Sequence, residues 1–247
     1  MRILANNLIE TAALTVPNTA AGMGAGWLAT GIKSEICRVL GSTASITAAW
    51  DADALIDTVL LPSIVVSPTA TVRVRIYSAS EVVVADTGAV IAAPGATLAE
   101  PSHVAVYLPA TTGRRMLITL SDSRQTRLDI PGLAAGRSIQ PRYNAAYGAG
   151  ISYDDLSEHV RSAAGDLRTE IGTVSPVLQF DLEWIHEDDR EEIRRVLAAG
   201  KRQLMFFDLL PQDPDSYLRI YGKQEQGGAM SLVAYSLHSS SFRILGW

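Results

Sequence analysis

Thr71-Val72-Arg73-Val74-Arg75-Ile76-Tyr77 is the stretch that decides the fold class. Val72, Val74 and Ile76 alternate with larger polar residues. A period of two sends one set of side chains to a buried face and the other to water, as in a half-buried strand. Working outward, Val82–Ala85, Val104–Leu108 and Met116–Leu120 read as further strands. Val59-Leu60-Leu61 and Ile64-Val65-Val66 flank Pro62, whose missing N–H predicts strand, break, strand. Pro94-Gly95 and Thr112-Gly113 are read as turns, and Asp51–Asp57 as at most a short helical turn. Such spacing is that of a sandwich or barrel.

A boundary is expected near residues 131–142, where Pro131-Gly132-Leu133-Ala134-Ala135-Gly136 leads to Ser138 and Pro141. The expected fold is mainly β: an N-terminal β-sandwich over residues 1–136 and a second β domain with one helix over 137–247. In the second part, Leu178, Phe180, Leu182 and Trp184 alternate with Gln179, Asp181 and Glu183, which predicts a strand with the apolar set inward. A helix follows over about 187–199. Glu187, Asp188 and Asp189 suit the positive end of its dipole, Ile193, Val196 and Leu197 form an apolar stripe, and Gly200 marks its stop. Strands are expected again at Gln203–Phe207, Tyr217–Lys223 and Ser231–Leu237, with turns at Pro211–Pro214 and Gly227-Gly228.

Of 247 residues, 47% are hydrophobic and 19% charged, which is the balance of a globular chain. The net charge is -5. Residues 1–137 hold ten acidic and ten basic side chains, so the excess lies wholly in the remainder. Neither half has the basic surplus needed to neutralise phosphates, so no nucleic-acid partner is expected. Cys37 is the single cysteine, which excludes an internal disulfide and a multi-cysteine metal site. The uncharged run Thr11–Ile32 is long enough to span a bilayer, but its Thr, Asn, Gly and Pro content argues against insertion.

Candidate chemistry is sparse. His186-Glu187 opens like a zinc-protease helix, but Arg190 stands where the second histidine belongs, so His186 is read as a helix-entry residue. His103, His159 and His238 show no triad signature. Asp51, Asp53 and Asp57 begin like a calcium loop, yet Leu55 and Ile56 occupy positions that need an oxygen ligand and a glycine. Gly22-Met23-Gly24-Ala25-Gly26 lacks the strand-then-helix setting of a phosphate cradle. Asp181 and Glu183 share the wet face of their strand. Tyr217 and Tyr221 are placed on one strand face, and Tyr235 on a later strand. Catalytic residues, cofactors and metal ligands are therefore expected to be none. The interface candidates are Tyr143, Tyr147 and Trp247.

The order of segments resembles tail proteins encoded in phages and prophages. In these, a discoidin-like or galactose-binding-like sandwich, a jelly-roll, precedes a tail-tube-like or distal-tail-like region. Asn7-Leu8 looks like part of the opening strand, Ala70–Tyr77 a central sandwich strand, and Arg115–Asp122 the last one. Asp129–Gly136 resembles the exit segment, Pro141–Asn144 and Tyr147-Gly148 a connector, and Phe180–Trp184 with its helix the second-domain core. Tyr221-Gly222-Lys223 leading to Tyr235-Ser236-Leu237 is similar to a closing hairpin. The turn Ser121–Arg124 departs from the pattern in lacking glycine, and His186 stands where a serine or aspartate cap is usual. The resemblance implies a non-enzymatic minor tail or baseplate protein that forms a ring of its own copies and joins other tail proteins. It also implies residence in the virion tail after assembly in the bacterial cytoplasm. The alternative is a carbohydrate-binding adhesion module that contacts host glycans. A cell-wall hydrolase ranks third, for want of an acid–base pair.

Overall fold

The computed structural model describes residues 1–162, 164–213, 216–225 and 228–247. It is mainly β, with antiparallel sheets and one α-helix. Two compact units emerge. The first runs from Ile3 to Ile139, with 211–216; the second comprises 1–2, 140–210 and 217–247.

The first unit contains β1 (Arg2–Leu4, shared with the second), β2 (Ala13–Thr15), β3 (Cys37–Leu40), β4 (Thr43–Ile64), β5 (Thr71–Tyr77), β6 (Val83–Asp86), β7 (Val90–Ile91), β8 (Ser102–Ser121), β9 (Arg127–Ile130) and β10 (Ala134–Gly136). Its sheet runs β10-β4-β8-β5-β6, with β2 on β4 and β7 on β5, while β3 and β9 pair separately. Two strands of unusual length organise it. β4 and β8 pair from Thr43↔Ser121 to Ile64↔Ser102, but the ladder is interrupted three times. Between Ala49↔Arg115 and Ala54↔Gly113, four β4 residues oppose Arg114 alone. Bulges of this kind bend strands, which lets one strand serve two layers of a sandwich. Ala44, Ile46 and Ala48 before the bends and Val59, Leu61 and Ile64 after them accordingly share one core with Val104, Val106, Met116, Ile118, Val39 and Leu128.

Several sequence expectations change here. Asp51–Asp57 is strand, not a helical turn. Pro62 does not divide two strands. It lies in the interruption between Leu61↔Val104 and Ile64↔Ser102, where Ser63 takes a positive φ and donates its N–H to His103 Nδ1 at 3.1 Å, so the missing proline N–H disturbs no ladder bond. Asn7-Leu8 opens no strand: Asn7 caps a 3-10 turn (Leu8–Thr11) by accepting from Ile9 N. Pro131–Gly136 is buried strand and lead-in within this unit.

Thr112-Gly113 is likewise no turn, since β8 runs straight through it. A Cβ on Gly113 would lie 2.4 Å from Ile76 Cγ2 and 2.6 Å from the Tyr77 carbonyl oxygen. The glycine therefore allows β5 to approach closely. Gly113→Ala is expected to destabilise this unit by about 1–3 kcal/mol, the usual cost of overpacking. A thermal transition unchanged from the parent would show that β5 yields freely at that point.

The second unit holds β11 (Gly150–Asp155), β12 (Glu158–Arg161), β13 (Leu167–Glu170), β14 (Val174–His186), α1 (Glu187–Ala199), β15 (Met205–Asp208), β16 (Arg219–Gln224), β17 (Ser231–Ala234) and β18 (Leu237–Gly246). The sheet order is β15-β16-β18-β14-β11, with β17 against β18. Helix α1 matches its expected span. His186 Nδ1 accepts from Asp188 N at 3.3 Å as the N-cap, and Ile193, Val196 and Leu197 are buried where the helix lies against β14 and β18. Phe180 and Phe242 stack at 4.8 Å in the core, with Phe207 tilted against both. Tyr217 precedes β16 and is exposed, whereas Tyr221 is buried, so the two do not share a strand face. Tyr235 sits in the β17–β18 turn beside Ser236, which has positive φ, and is exposed. Of the expected turns, Pro211–Pro214 and Gly227-Gly228 lie partly outside the described residues.

Candidate functional site

Trp184 was expected to point inward with Leu178, Phe180 and Leu182. It is 47% exposed instead. The cause is a bulge: Leu182 pairs with Ser240 and Ile185 with His238, so Glu183 and Trp184 together oppose Ser239. One extra residue flips the strand's phase and re-aims the indole at solvent, while Ile185 resumes burial.

Two short ties bring tyrosines to the same place. Asn144 Nδ2 donates to the Leu209 carbonyl at 3.2 Å, and Ala146 N donates to the Asp181 carbonyl at 2.8 Å. Arg142 N is fixed to Asp189 Oδ2 at 2.9 Å, beside the helix N-terminus. The strapped segment 143–149 then walls a groove of about 620 Å³ with Trp184, Leu209, Leu210 and Leu218. Leu209 and Leu218 are buried and form its floor. Tyr143, Tyr147 and Trp184 stand at the rim, with Tyr147 108% exposed. Rigid aromatic faces over an aliphatic floor suit a flat apolar ligand surface or a partner's apolar side chains. Thus Tyr143 and Tyr147 belong to one site, and Trp184 is the member that sequence periodicity had assigned to the core. Trp247 is elsewhere: its ring meets Tyr221 edge-on at 5.4 Å and its backbone N–H donates to the Tyr221 carbonyl.

A second surface of the same unit is a projecting arm. Beyond the last β11–β14 pair, Asp155↔Val174, the chain leads into the separate ribbon β12–β13, from Glu158↔Glu170 to Arg161↔Leu167. Val160, Leu167 and Ile171 are exposed along it, as are Tyr153, Leu156 and Val174 at its base, Ile171 by 91%. Side chains this apolar have no role in the unit's own core, and an uncovered two-stranded ribbon is a ready pairing edge.

In the first unit several arginines are paired with carboxylates. The Arg115 guanidinium lies 3.8 Å from the Tyr77 ring centroid and pairs with Glu81, while Arg114 pairs with Asp53 at 2.8 Å. The calcium-like triad is split: Asp57 is buried and accepts from Ser138 N and Thr58 Oγ1, whereas Asp51 and Asp53 face solvent. Among the described residues no three His, Cys, Asp or Glu side chains are grouped to hold an ion. The four histidines take separate structural bonds: His103 with Ser63, His159 with Thr169, His186 at the helix cap and His238 with Glu187. Burial pushes the Cys37 thiol up to about 11. No described helix is long and apolar enough to cross a membrane.

No protein-family model matches this chain, and no curated protein matches it. Among solved structures, a fucose-binding module from Streptococcus pneumoniae superposes with a TM-score of 0.43 at 11% identity, covering 54% of this chain and 96% of that one. The lectin domain of lectinolysin in complex with Lewis B antigen gives 0.43 at 14% identity, covering 54% and 98%. A chitosan-binding module from a Paenibacillus chitosanase/glucanase gives 0.42 at 12%, covering 53% and 98%. These likenesses are loose in both sequence and superposition, and the sandwich assignment rests on the strand pairings above. Fold and surfaces together define a two-unit β protein with an uncovered arm and an aromatic groove.

Proposed function

We propose that this protein is a non-enzymatic attachment component, fixed into a larger assembly by its second unit and contacting carbohydrate through its first. The observation that carries the assembly half is the arm, whose exposed apolar side chains Val160, Leu167 and Ile171 are continued by Tyr153, Leu156 and Val174 at its base. Arm and aromatic groove would bury area against copies of the chain or neighbouring proteins, and a ring closed by one repeated head-to-tail contact is the natural product. The setting proposed is the tail tip or baseplate of a phage-type particle.

Removing residues 157–171 and closing β11 to β14 with Asn-Gly tests this. Because no described residue of the arm belongs to the core, the melting temperature is expected to stay within about 3 °C of the parent. Self-association and incorporation into particles, followed by sedimentation and electron microscopy, should be lost. A truncated chain that assembles like the parent ends the proposal.

The carbohydrate half is an analogy of fold, and fold alone does not fix function. What supports it is that jelly-roll sandwiches recur among lectins and that the modules named above bind sugars. A glycan array probed with the full chain is expected to show saturable binding that survives removal of the arm. An array with no saturable signal would confine the protein to assembly.

A further inference from the structure

The arm and the aromatic groove stand at opposite ends of β14. Val174, where the arm departs, and Trp184, in the groove wall, are ten residues apart on that strand, about 30 Å of extended chain. Beyond the last β11–β14 pair the two chains run on side by side. Leu156 N donates to the Thr173 carbonyl at 3.2 Å, and Gly172 N donates to Ser157 Oγ at 2.9 Å. A Cβ on Gly172 would lie 2.3 Å from the Leu156 carbonyl carbon, so the base of the ribbon is closely held. The arm therefore leads away from its own groove, and the groove within its reach is that of another molecule.

The two faces of the ribbon differ. Residues directly opposite in an antiparallel pair share a face, so Arg161↔Leu167 and His159↔Thr169 define one and Val160↔Arg168 and Glu158↔Glu170 the other. The 3.0 Å contact between His159 Nδ1 and Thr169 Oγ1 agrees with this. The second face sets two carboxylates opposite each other and suits no acidic surface. The first face carries the exposed Leu167 with one permanent cation, Arg161, and Ile171 follows two residues beyond Thr169, in phase with both. Arg161 Nη1 donates to the Gly165 carbonyl at 3.3 Å, which leaves Nε and Nη2 for a carboxylate. The groove is the complement of that face. Its floor is aliphatic and its rim aromatic, and among its described lining residues Glu183 alone is charged. Aliphatic side chains against rigid aromatic faces make the centre of a protein interface, and one carboxylate beside them selects a partner that brings a cation.

We infer that the arm of one copy seats in the aromatic groove of the next, with Leu167 and Ile171 against Leu209, Leu218 and Trp184, and Arg161 paired with Glu183. The inference rests on the arm-driven assembly proposed above and names the receptor of the arm. Donor and receptor are different surfaces at opposite ends of β14, so the contact is head-to-tail and every copy presents one of each. The arm, residues 157–171, is smaller than one side of a standard interface, about 20–30 residues. Two copies therefore associate weakly, and closure of a ring, which makes the last contact intramolecular, adds the remaining affinity.

The test is sedimentation of full-length variants. Trp184→Asp, in the groove, should weaken self-association by about thirtyfold or more, and Leu167→Asp combined with Ile171→Asp, on the arm, should do the same. All three positions are exposed, and unchanged melting temperatures check that the fold is kept. Mixing the groove variant with the arm variant should give a one-to-one heterodimer and nothing larger, because one intact arm then meets one intact groove and no further contact remains. Arg161→Glu and Glu183→Arg should each weaken association by about fivefold or more, and the two in one chain should recover most of it, since the pair re-forms with its signs exchanged. If Trp184→Asp assembles as the parent does while removal of the arm abolishes assembly, the arm docks elsewhere, and this inference falls with the proposed function intact. A purified chain that stays monomeric while particles still require the arm overturns it equally, because the receptor is then a different protein. If removal of the arm changes nothing, both fall together.

Discussion

Asp208→Ala is expected to lower the stability of the second unit by about 3–5 kcal/mol, the cost of leaving one partner of a buried ion pair uncompensated. Asp208 is fully buried, and its Oδ2 accepts from Arg219 Nε at 2.8 Å while Oδ1 accepts from Leu210 N at 3.0 Å. The two residues face each other across β15 and β16, so the pair also fixes their register. Removing the carboxylate takes the partner on β15 from a guanidinium that is only 11% exposed. Urea unfolding followed by tryptophan emission should show the loss as a lower midpoint. Asp208→Leu combined with Arg219→Met removes both charges and should recover much of it, since apolar replacement of a buried pair is often neutral. If the single and double variants fall equally, the loss comes from packing, and the electrostatic account fails.

How far the sequence disclosed this architecture depends on how local each determinant is. The alternation of Thr71–Tyr77 and the stripe and charges of Glu187–Ala199 are complete within one window, and both elements lie where the pattern puts them. β4 and β8 are not local objects. Their bends and Gly113 make sense only when the two strands and Ile76 are seen together, so a long strand looked like two. β18 was hidden because Ser239, Ser240 and Ser241 carry no hydrophobic period, although Ser240 is buried by its neighbours. The arm was hidden for the opposite reason. Its strands are wholly exposed and mix apolar with charged residues, so no inward face marks them. The site was half legible: Tyr143 and Tyr147 stood out as aromatics in a connector, but the bulge that adds Trp184 breaks the very alternation that seemed to bury it.

In the first unit, Asp122→Ala should cost about 3 kcal/mol, because one carboxylate satisfies donors from two separate loops. Asp122 is fully buried. Oδ1 accepts from Ser67 Oγ at 2.6 Å and Arg124 N at 3.0 Å; Oδ2 accepts from Ser67 N at 2.7 Å and Gln125 Nε2 at 3.0 Å. This explains how Ser121–Arg124 turns without a glycine: the carboxylate holds the turn's own N–H and clamps it to the loop after β4. Burial by itself pushes this carboxyl up, but the bonds from Ser67, Gln125 and Arg124 outweigh it and hold it below the ordinary aspartate range. A carboxyl lowered in the folded state contributes stability that is fully present above its unfolded value, about pH 4, and is lost as pH falls through the folded value. The parent should therefore weaken in acid more steeply than Asp122→Asn, which has no charge to lose and begins less stable. Denaturant midpoints for both proteins between about pH 2 and pH 6 give the comparison. Parallel curves would mean that Asp122 titrates as an ordinary aspartate, and the clamp would then be a matter of shape alone.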